Sequence, residues 1–241
     1  NSRFYKSLTE LGFHIIDSTL SNYNFTTYSM ASMLNMEYLN SIEGRNSNKS
    51  DLAYCYSRFK QSRVVKNFTE LGYTFYNHSI FDFDNNPSSA IPTFLPRKAE
   101  AITAQTFTAR MEKEIAYHLA TTFKVGFVLD YFKTRDLKNN QSLAQKTRET
   151  LALKTGKPKF VYTHLVMPHL PYYFDSTGKP LPVDTLTESF GKNIPAFLNY
   201  LEYTNRELLR LVRDIRNNSP EPPVIILMSD HGFREYSGPV N

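Results

Sequence analysis

Apolar and polar residues alternate along the chain in a pattern that predicts helices and strands in turn. The clearest helix covers residues 194–215, where apolar side chains recur every three or four positions and form one stripe. Similar spacing predicts further helices, which cover residues 2–11, 27–35, 49–67, 98–123 and 141–155. Gly12 and Gly72 each follow a Thr-Glu-Leu sequence and are typical of the position just after a helix.

Short apolar runs between these helices predict strands at residues 13–16, 73–81 and 159–167. A last run, residues 224–228, is apolar and rich in β-branched side chains. Such a run is typical of a strand that is buried on both faces, as in a parallel sheet. The alternation of helices and strands therefore predicts an α/β fold, with a mostly parallel sheet that carries helices on both faces.

Length and composition are those of a single globular domain. The chain has 241 residues, of which 41% are hydrophobic, and α/β domains of this size usually have one core. No apolar run in the sequence approaches the roughly 18 residues that a membrane-spanning helix needs. The single Cys55 excludes an internal disulfide and a cysteine-rich metal site. We therefore treat residues 1–241 as one domain.

The net charge of +5 does not by itself predict nucleic-acid binding. The densest basic cluster, which consists of Arg58, Lys60, Arg63 and Lys66, is interleaved with apolar residues at helical spacing. We interpret it as the solvated face of a helix in preference to a nucleic-acid patch. No nucleic-acid partner is therefore predicted.

Three segments place reactive side chains where a strand ends or a helix begins. Asp230 and His231 follow the last predicted strand, so they form either a polar exit from the sheet or a pair of ligands for zinc or manganese. Thr26 and Thr27 lie at the start of a predicted helix. A hydroxyl there is either an N-cap or a nucleophile beside free backbone N–H groups.

The third segment contains two histidines. His164 lies inside the strand predicted at residues 159–167 and is interpreted as a hydrogen-bonded core residue. His169 follows that strand and lies between Pro168 and Pro171, which restrict its backbone. An imidazole fixed in this way suits proton transfer or contact with an anionic oxygen.

Taken in order, these three segments resemble the alkaline phosphatase and sulfatase superfamily. Within it they are similar to the phosphoglycerol and phosphoethanolamine transferases, a branch that includes the lipoteichoic acid synthases. The motifs that carry the resemblance are Thr26-x-x-Ser29, Pro168-His169-x-Pro171-Tyr172 after a strand with His164, and Ser229-Asp230-His231-Gly232 after an apolar run. The resemblance covers nearly the whole chain and implies an alkaline-phosphatase-like fold.

The resemblance also implies a metal site and a nucleophile. Thr26 would be the metal-bound nucleophile that takes the phosphoryl group, and Thr27 is the neighbouring alternative. Asp230 and His231 would bind a divalent metal, either Mn, Zn or Mg. A metal bound to the threonine oxygen would lower its pKa and screen the incoming phosphate.

The remaining motif residues would act on the substrate. His169 would contact or protonate the transferred group, and Ser29 and Arg234 would bind the substrate anion. Sulfatases instead convert a Cys or Ser in a Cys/Ser-x-Pro-x-Arg sequence to formylglycine. Residues 26–30 contain neither the Pro nor the Arg, which disfavours sulfate-ester hydrolysis by that route.

The family takes an acidic metal ligand from a strand before the nucleophile and a further histidine after the Asp-His-Gly segment. Neither is found among residues 1–241, so we expect the chain to be a partial catalytic domain of a longer protein. By analogy with the family, that protein is expected to be extracytoplasmic and anchored to a membrane through other segments.

The sequence thus predicts a metal-dependent phosphotransferase or phosphodiesterase, in which a threonine attacks a phosphodiester such as a lipid head group. Two alternatives remain open. One is a sulfatase-like hydrolase that acts on another ester, and the other is a non-catalytic fragment with an incomplete metal site.

Overall fold

The structure, a computed structural model, describes residues 2–40, 49–90, 126–186 and 193–233. The elements in these residues are α1 (Ser2–Glu10), α2 (Thr26–Met33), α3 (Lys49–Lys60), α4 (Arg63–Glu70), β1 (Thr74–His78), α5 (Gly126–Ala152), β2 (Lys159–Thr163) and α6 (Ile194–Asn218). A short 3₁₀ helix, Val183–Thr185, lies between β2 and α6. None of these helices is long and apolar enough to cross a membrane. The helix predicted over residues 98–123 lies outside the described residues.

Two helices differ in extent from their predictions for local reasons. The single helix predicted over residues 49–67 is divided into α3 and α4, because Ser62 Oγ accepts a hydrogen bond from Val65 N and caps α4. α5 is longer than the predicted 141–155 and begins at Gly126. Its buried positions include Asn139 and Asn140, which are 1% and 5% exposed. Hydrophobic periodicity does not identify a helical face that buries polar side chains.

The described part of the sheet consists of β1 and β2, which are parallel. They pair in register from Thr74 opposite Lys159 to His78 opposite Thr163. His164 N donates to His78 O at 3.0 Å, so the pairing continues one residue beyond β2. Both strands are shorter than predicted, but they confirm parallel pairing in this part of the chain.

Helices pack on both faces of this small sheet. Successive side chains of a strand point to opposite faces, so Phe160 and Thr163 of β2 lie on different sides. The ring of Phe160 stacks on Phe68 of α4 with a centroid distance of 4.4 Å. On the other side, the hydroxyls of Thr163 and Thr147 of α5 are 2.7 Å apart. The predicted α/β layering is therefore present around β1 and β2.

Two of the predicted strands are not formed. Residues 13–16 and 224–228 belong to no strand among the described residues. Val224, Ile226 and Met228 are 93%, 81% and 64% exposed, so the prediction of a last strand buried on both faces is wrong. A strand needs a neighbour to pair its backbone groups. No main-chain hydrogen bond within the described part of the chain gives residues 224–228 such a neighbour.

The main hydrophobic core joins α2 to α3, α5 and the loop after β1. Ala31, Cys55, Phe59 and Leu143 have no exposed surface in this core, and Phe81 is 1% exposed. The Phe59 and Phe81 rings lie 4.5 Å apart between their centroids. Because three helices contribute to one closed cluster, the position of α2 is fixed by packing.

Replacement of Leu143 by alanine should lower the free energy of unfolding by about 2–5 kcal/mol, because it removes buried apolar surface and leaves a cavity. Urea denaturation followed by circular dichroism measures the change. Leu71→Ala is the control, since Leu71 is 74% exposed and its loss should change the free energy by less than about 0.5 kcal/mol. Equal losses in the two variants would contradict the position of Leu143 in the core.

Candidate functional site

α2 carries the candidate nucleophile at its first residue. Phe25 is the N-cap residue, has an extended backbone and makes no side-chain cap hydrogen bond. Ser29 N donates to Phe25 O at 2.9 Å and closes the first turn. The alternative in which Thr26 or Thr27 acts as the N-cap is therefore not observed.

Thr26 and Thr27 have different surroundings, because neighbouring residues of a helix point about 100° apart. Thr26 Oγ1 lies 3.2 Å from His231 Nε2. Thr27 has no exposed surface, and its Oγ1 has no hydrogen-bond partner among the described residues. Of the two hydroxyls, that of Thr26 contacts the segment that contains Asp230 and His231, which we call the Asp-His segment.

The ring of His231 is oriented by its own main chain. His231 Nδ1 lies 2.8 Å from the carbonyl oxygen of Gly232, which can only accept a hydrogen bond. Nδ1 therefore carries a hydrogen, and in the neutral ring Nε2 is left as the acceptor. The hydroxyl of Thr26 then donates to Nε2, so the basic nitrogen faces the threonine oxygen.

The Asp230 carboxylate lies beside the same nitrogen. Asp230 Oδ2 is 3.5 Å from His231 Nε2, and Asp230 Oδ1 accepts a hydrogen bond from His231 N at 3.0 Å. The main-chain carbonyl of Asp230 accepts a hydrogen bond from Ser29 Oγ. Ser29 has no exposed surface, so the hydrogen of this hydroxyl points to the protein main chain.

The donor atoms fit a small divalent cation. Bonds of about 2.0–2.1 Å to zinc in tetrahedral geometry place neighbouring ligand atoms about 3.3 Å apart. Thr26 Oγ1 and Asp230 Oδ2 lie 3.2 and 3.5 Å from His231 Nε2, close to that spacing. No group of three or more His, Cys, Asp or Glu residues suited to a metal occurs in the described ranges. A metal held by Asp230 and His231 would therefore need the threonine oxygen as a third donor.

Tyr162 and His164 lie close enough to Asp230 for its charge to affect both of their pKa values. Sequence reasoning did not identify this relation. Tyr162 OH lies 3.3 Å from His164 Nδ1 at the end of β2. Burial lowers the pKa of His164, while the charge of Asp230 opposes this shift and that of His231 adds to it. Burial also raises the pKa of Tyr162 well above its usual value, with a further contribution from Asp230. His164 is therefore hydrogen-bonded, as its sequence position predicts, and it also lies within electrostatic reach of Asp230 and His231.

His169 lies in the loop that follows β2. Its Nδ1 is 2.7 Å from the carbonyl oxygen of Leu170, so this nitrogen donates and Nε2 is the acceptor of the neutral ring. Leu170 and Tyr172 belong to a second buried cluster, in which they pack with Tyr200 of α6. Packing against α6 thus sets the path of the loop that carries His169. Arg234 lies outside the described residues.

The sequence of the chain was compared with models of known protein families. The model of the sulfatase family matches residues 18–240, which includes α2, β2 and the Asp-His segment. Comparisons with curated proteins and with solved structures gave no match. A family match over nearly the whole chain agrees with the α/β layering around β1 and β2. The chain belongs to the sulfatase family, within the alkaline phosphatase superfamily.

Proposed function

We propose that the protein is a metal-dependent phosphotransferase or phosphodiesterase whose nucleophile is Thr26. Membership of the sulfatase family indicates an ester hydrolase or transferase. The observation that carries the finer proposal is the 3.2 Å contact between Thr26 Oγ1 and His231 Nε2. Of the hydroxyls of Thr26 and Thr27, only that of Thr26 makes this contact. The nitrogen that it contacts is oriented to bind a proton or a metal.

The proposed reaction has two steps. Thr26 Oγ1 gives up its hydroxyl proton to solvent and attacks the phosphorus of a phosphodiester, the bond from phosphorus to the leaving alcohol breaks, and a phosphorylated threonine is formed. A divalent metal, when bound by Thr26, Asp230 and His231, supplies a Lewis acid that lowers the pKa of the hydroxyl. His169 would act as the general acid in its protonated form, in which Nε2 also carries a hydrogen, and would give that hydrogen to the leaving alcohol. In the second step an acceptor alcohol or water takes the phosphoryl group from Thr26.

Hydrolysis of sulfate esters through formylglycine is the second candidate function, because the family includes enzymes of that kind. That route needs a reactive Cys or Ser at the nucleophile position. Cys55 has no exposed surface, and burial, with a smaller contribution from Asp51, raises its pKa to about 12. Ser29 is also buried and donates its hydroxyl hydrogen to Asp230. These contacts favour the threonine mechanism.

The substrate class and location are proposed from the resemblance of the three motifs to lipid-modifying transferases. We propose a lipid head group as the phosphodiester, and an extracytoplasmic, membrane-anchored full-length protein. The third alternative, a non-catalytic domain, predicts that no covalent adduct forms at Thr26.

Thr26→Val should abolish the covalent phosphoryl adduct, because the valine lacks the attacking oxygen. Mass spectrometry of the full-length protein, quenched after mixing with Mn²⁺ and a phosphodiester, measures the adduct and its position. Thr27→Val is the matched control: it should retain the adduct, and its free energy of unfolding should be unchanged or higher by about 1 kcal/mol because an unpaired buried hydroxyl is removed. An adduct in Thr26→Val, or its loss in a folded Thr27→Val, would contradict the assignment of Thr26.

Aryl phosphodiesters and aryl sulfates separate the two candidate reactions. With Mn²⁺ present, the full-length protein should release nitrophenol from bis(4-nitrophenyl) phosphate, and Thr26→Val should reduce this rate to background. The value of kcat/KM for 4-nitrophenyl sulfate should be at least about tenfold lower. Faster turnover of the sulfate would support the formylglycine route and reject the proposed reaction.

A further inference from the structure

The segment with Asp230 and His231 has few attachments to the remainder of the fold. Among the described residues, no main-chain hydrogen bond joins residues 220–233 to another segment. The preceding residues 224–228 alternate between exposed and half-buried positions and belong to no strand. The positions of Asp230 and His231 therefore depend on side-chain contacts.

Two side-chain contacts attach this segment to helices, one at Asp230 and the other beyond Gly232. Ser29 Oγ donates to the main-chain carbonyl of Asp230. Beyond Gly232, the ring of Phe233 stacks on Phe197 of α6, with centroids 4.1 Å apart and planes inclined by 23°. The aromatic contact holds the segment after the pair, whereas the Ser29 contact reaches Asp230 itself.

Ser29 lies three residues after Thr26 in α2, and residues at this spacing share one face of a helix. The helix is held in the main core by Met30 and Ala31, which are 5% and 0% exposed. One rigid turn therefore carries both the candidate nucleophile and the hydroxyl that binds Asp230. The spacing between the candidate nucleophile and the hydroxyl that binds Asp230 is consequently set within a single helical turn.

We propose that Ser29 is a positioning residue, which holds Asp230 and His231 against Thr26 through the main-chain carbonyl of Asp230. This inference rests on the proposed function of the site. A bond to the carbonyl fixes the backbone and leaves the carboxylate of Asp230 and Nε2 of His231 to bind the metal. Ser29 thus acts as a support for the ligands, and contacts neither metal nor substrate.

Ser29→Ala tests the proposal, with Ser32→Ala as the matched control. Both serines lie in α2, have no exposed surface and donate from Oγ to a main-chain carbonyl; Ser32 Oγ donates to Glu37 O at 2.6 Å. Loss of a group that supports metal ligands typically weakens metal binding by about 10- to 100-fold. We expect this loss of Mn²⁺ affinity, measured by calorimetry on the full-length protein, in Ser29→Ala and a change below about threefold in Ser32→Ala.

The other outcomes separate this inference from the proposed function. Equal Mn²⁺ affinity in the two variants, with an intact adduct in the wild type, would overturn the role of Ser29 alone. A raised KM with unchanged Mn²⁺ affinity in Ser29→Ala would assign Ser29 to the substrate and also overturn it. A wild-type protein that neither binds Mn²⁺ nor forms an adduct would reject both. Should Ser29→Ala fail to fold, Ser29→Cys keeps the shape with a weaker donor and must still lower the affinity.

Discussion

The first turn of α2 is the element on which the candidate site depends. Thr26 and Ser29 lie three residues apart on this turn, where one contacts His231 and the other holds Asp230. The turn itself is rigid, because the residues that follow it are packed in a core shared with α3 and α5. The hydroxyls of Thr26 and Ser29 would be costly to bury without hydrogen-bond partners, and both find partners in the Asp-His segment. The same contacts therefore stabilise the Asp-His segment and bring the candidate nucleophile Thr26 close to the candidate metal ligands Asp230 and His231.

The proposed metal dependence rests on the hydrogen bonds that orient His231 and on the carboxylate beside it. The Gly232 carbonyl fixes the hydrogen of His231 on Nδ1, so the remaining ring nitrogen faces Thr26 and the Asp230 carboxylate. One hydroxyl, one imidazole and one carboxylate then form a compact donor set. A cation held by these donors would supply positive charge beside the threonine oxygen, where electrostatic stabilisation would have the largest effect on rate.

Local patterns predicted the parts of the molecule that depend on local interactions. The stripe over residues 194–215 lies within α6. The expectation that Thr26 lies near His231 came instead from the family resemblance, and Thr26 Oγ1 lies 3.2 Å from His231 Nε2. The sequence did not predict the fate of residues 224–228, because strand formation depends on a neighbour that apolar composition does not reveal. The contact of Ser29 was also missed, since it depends on a residue distant in the chain: Asp230 follows Ser29 by 201 residues. Such long-range contacts are set by topology, which periodicity does not encode.

The central claim, that Thr26, Asp230 and His231 form one metal site, is tested most directly by anomalous diffraction from crystals of the full-length protein grown with Mn²⁺ or Zn²⁺. The account predicts an anomalous peak at bonding distance, about 2.0–2.2 Å, from Thr26 Oγ1, His231 Nε2 and a carboxylate oxygen of Asp230. A metal bound elsewhere, or a peak that Thr26 Oγ1 does not contact, would contradict the claim.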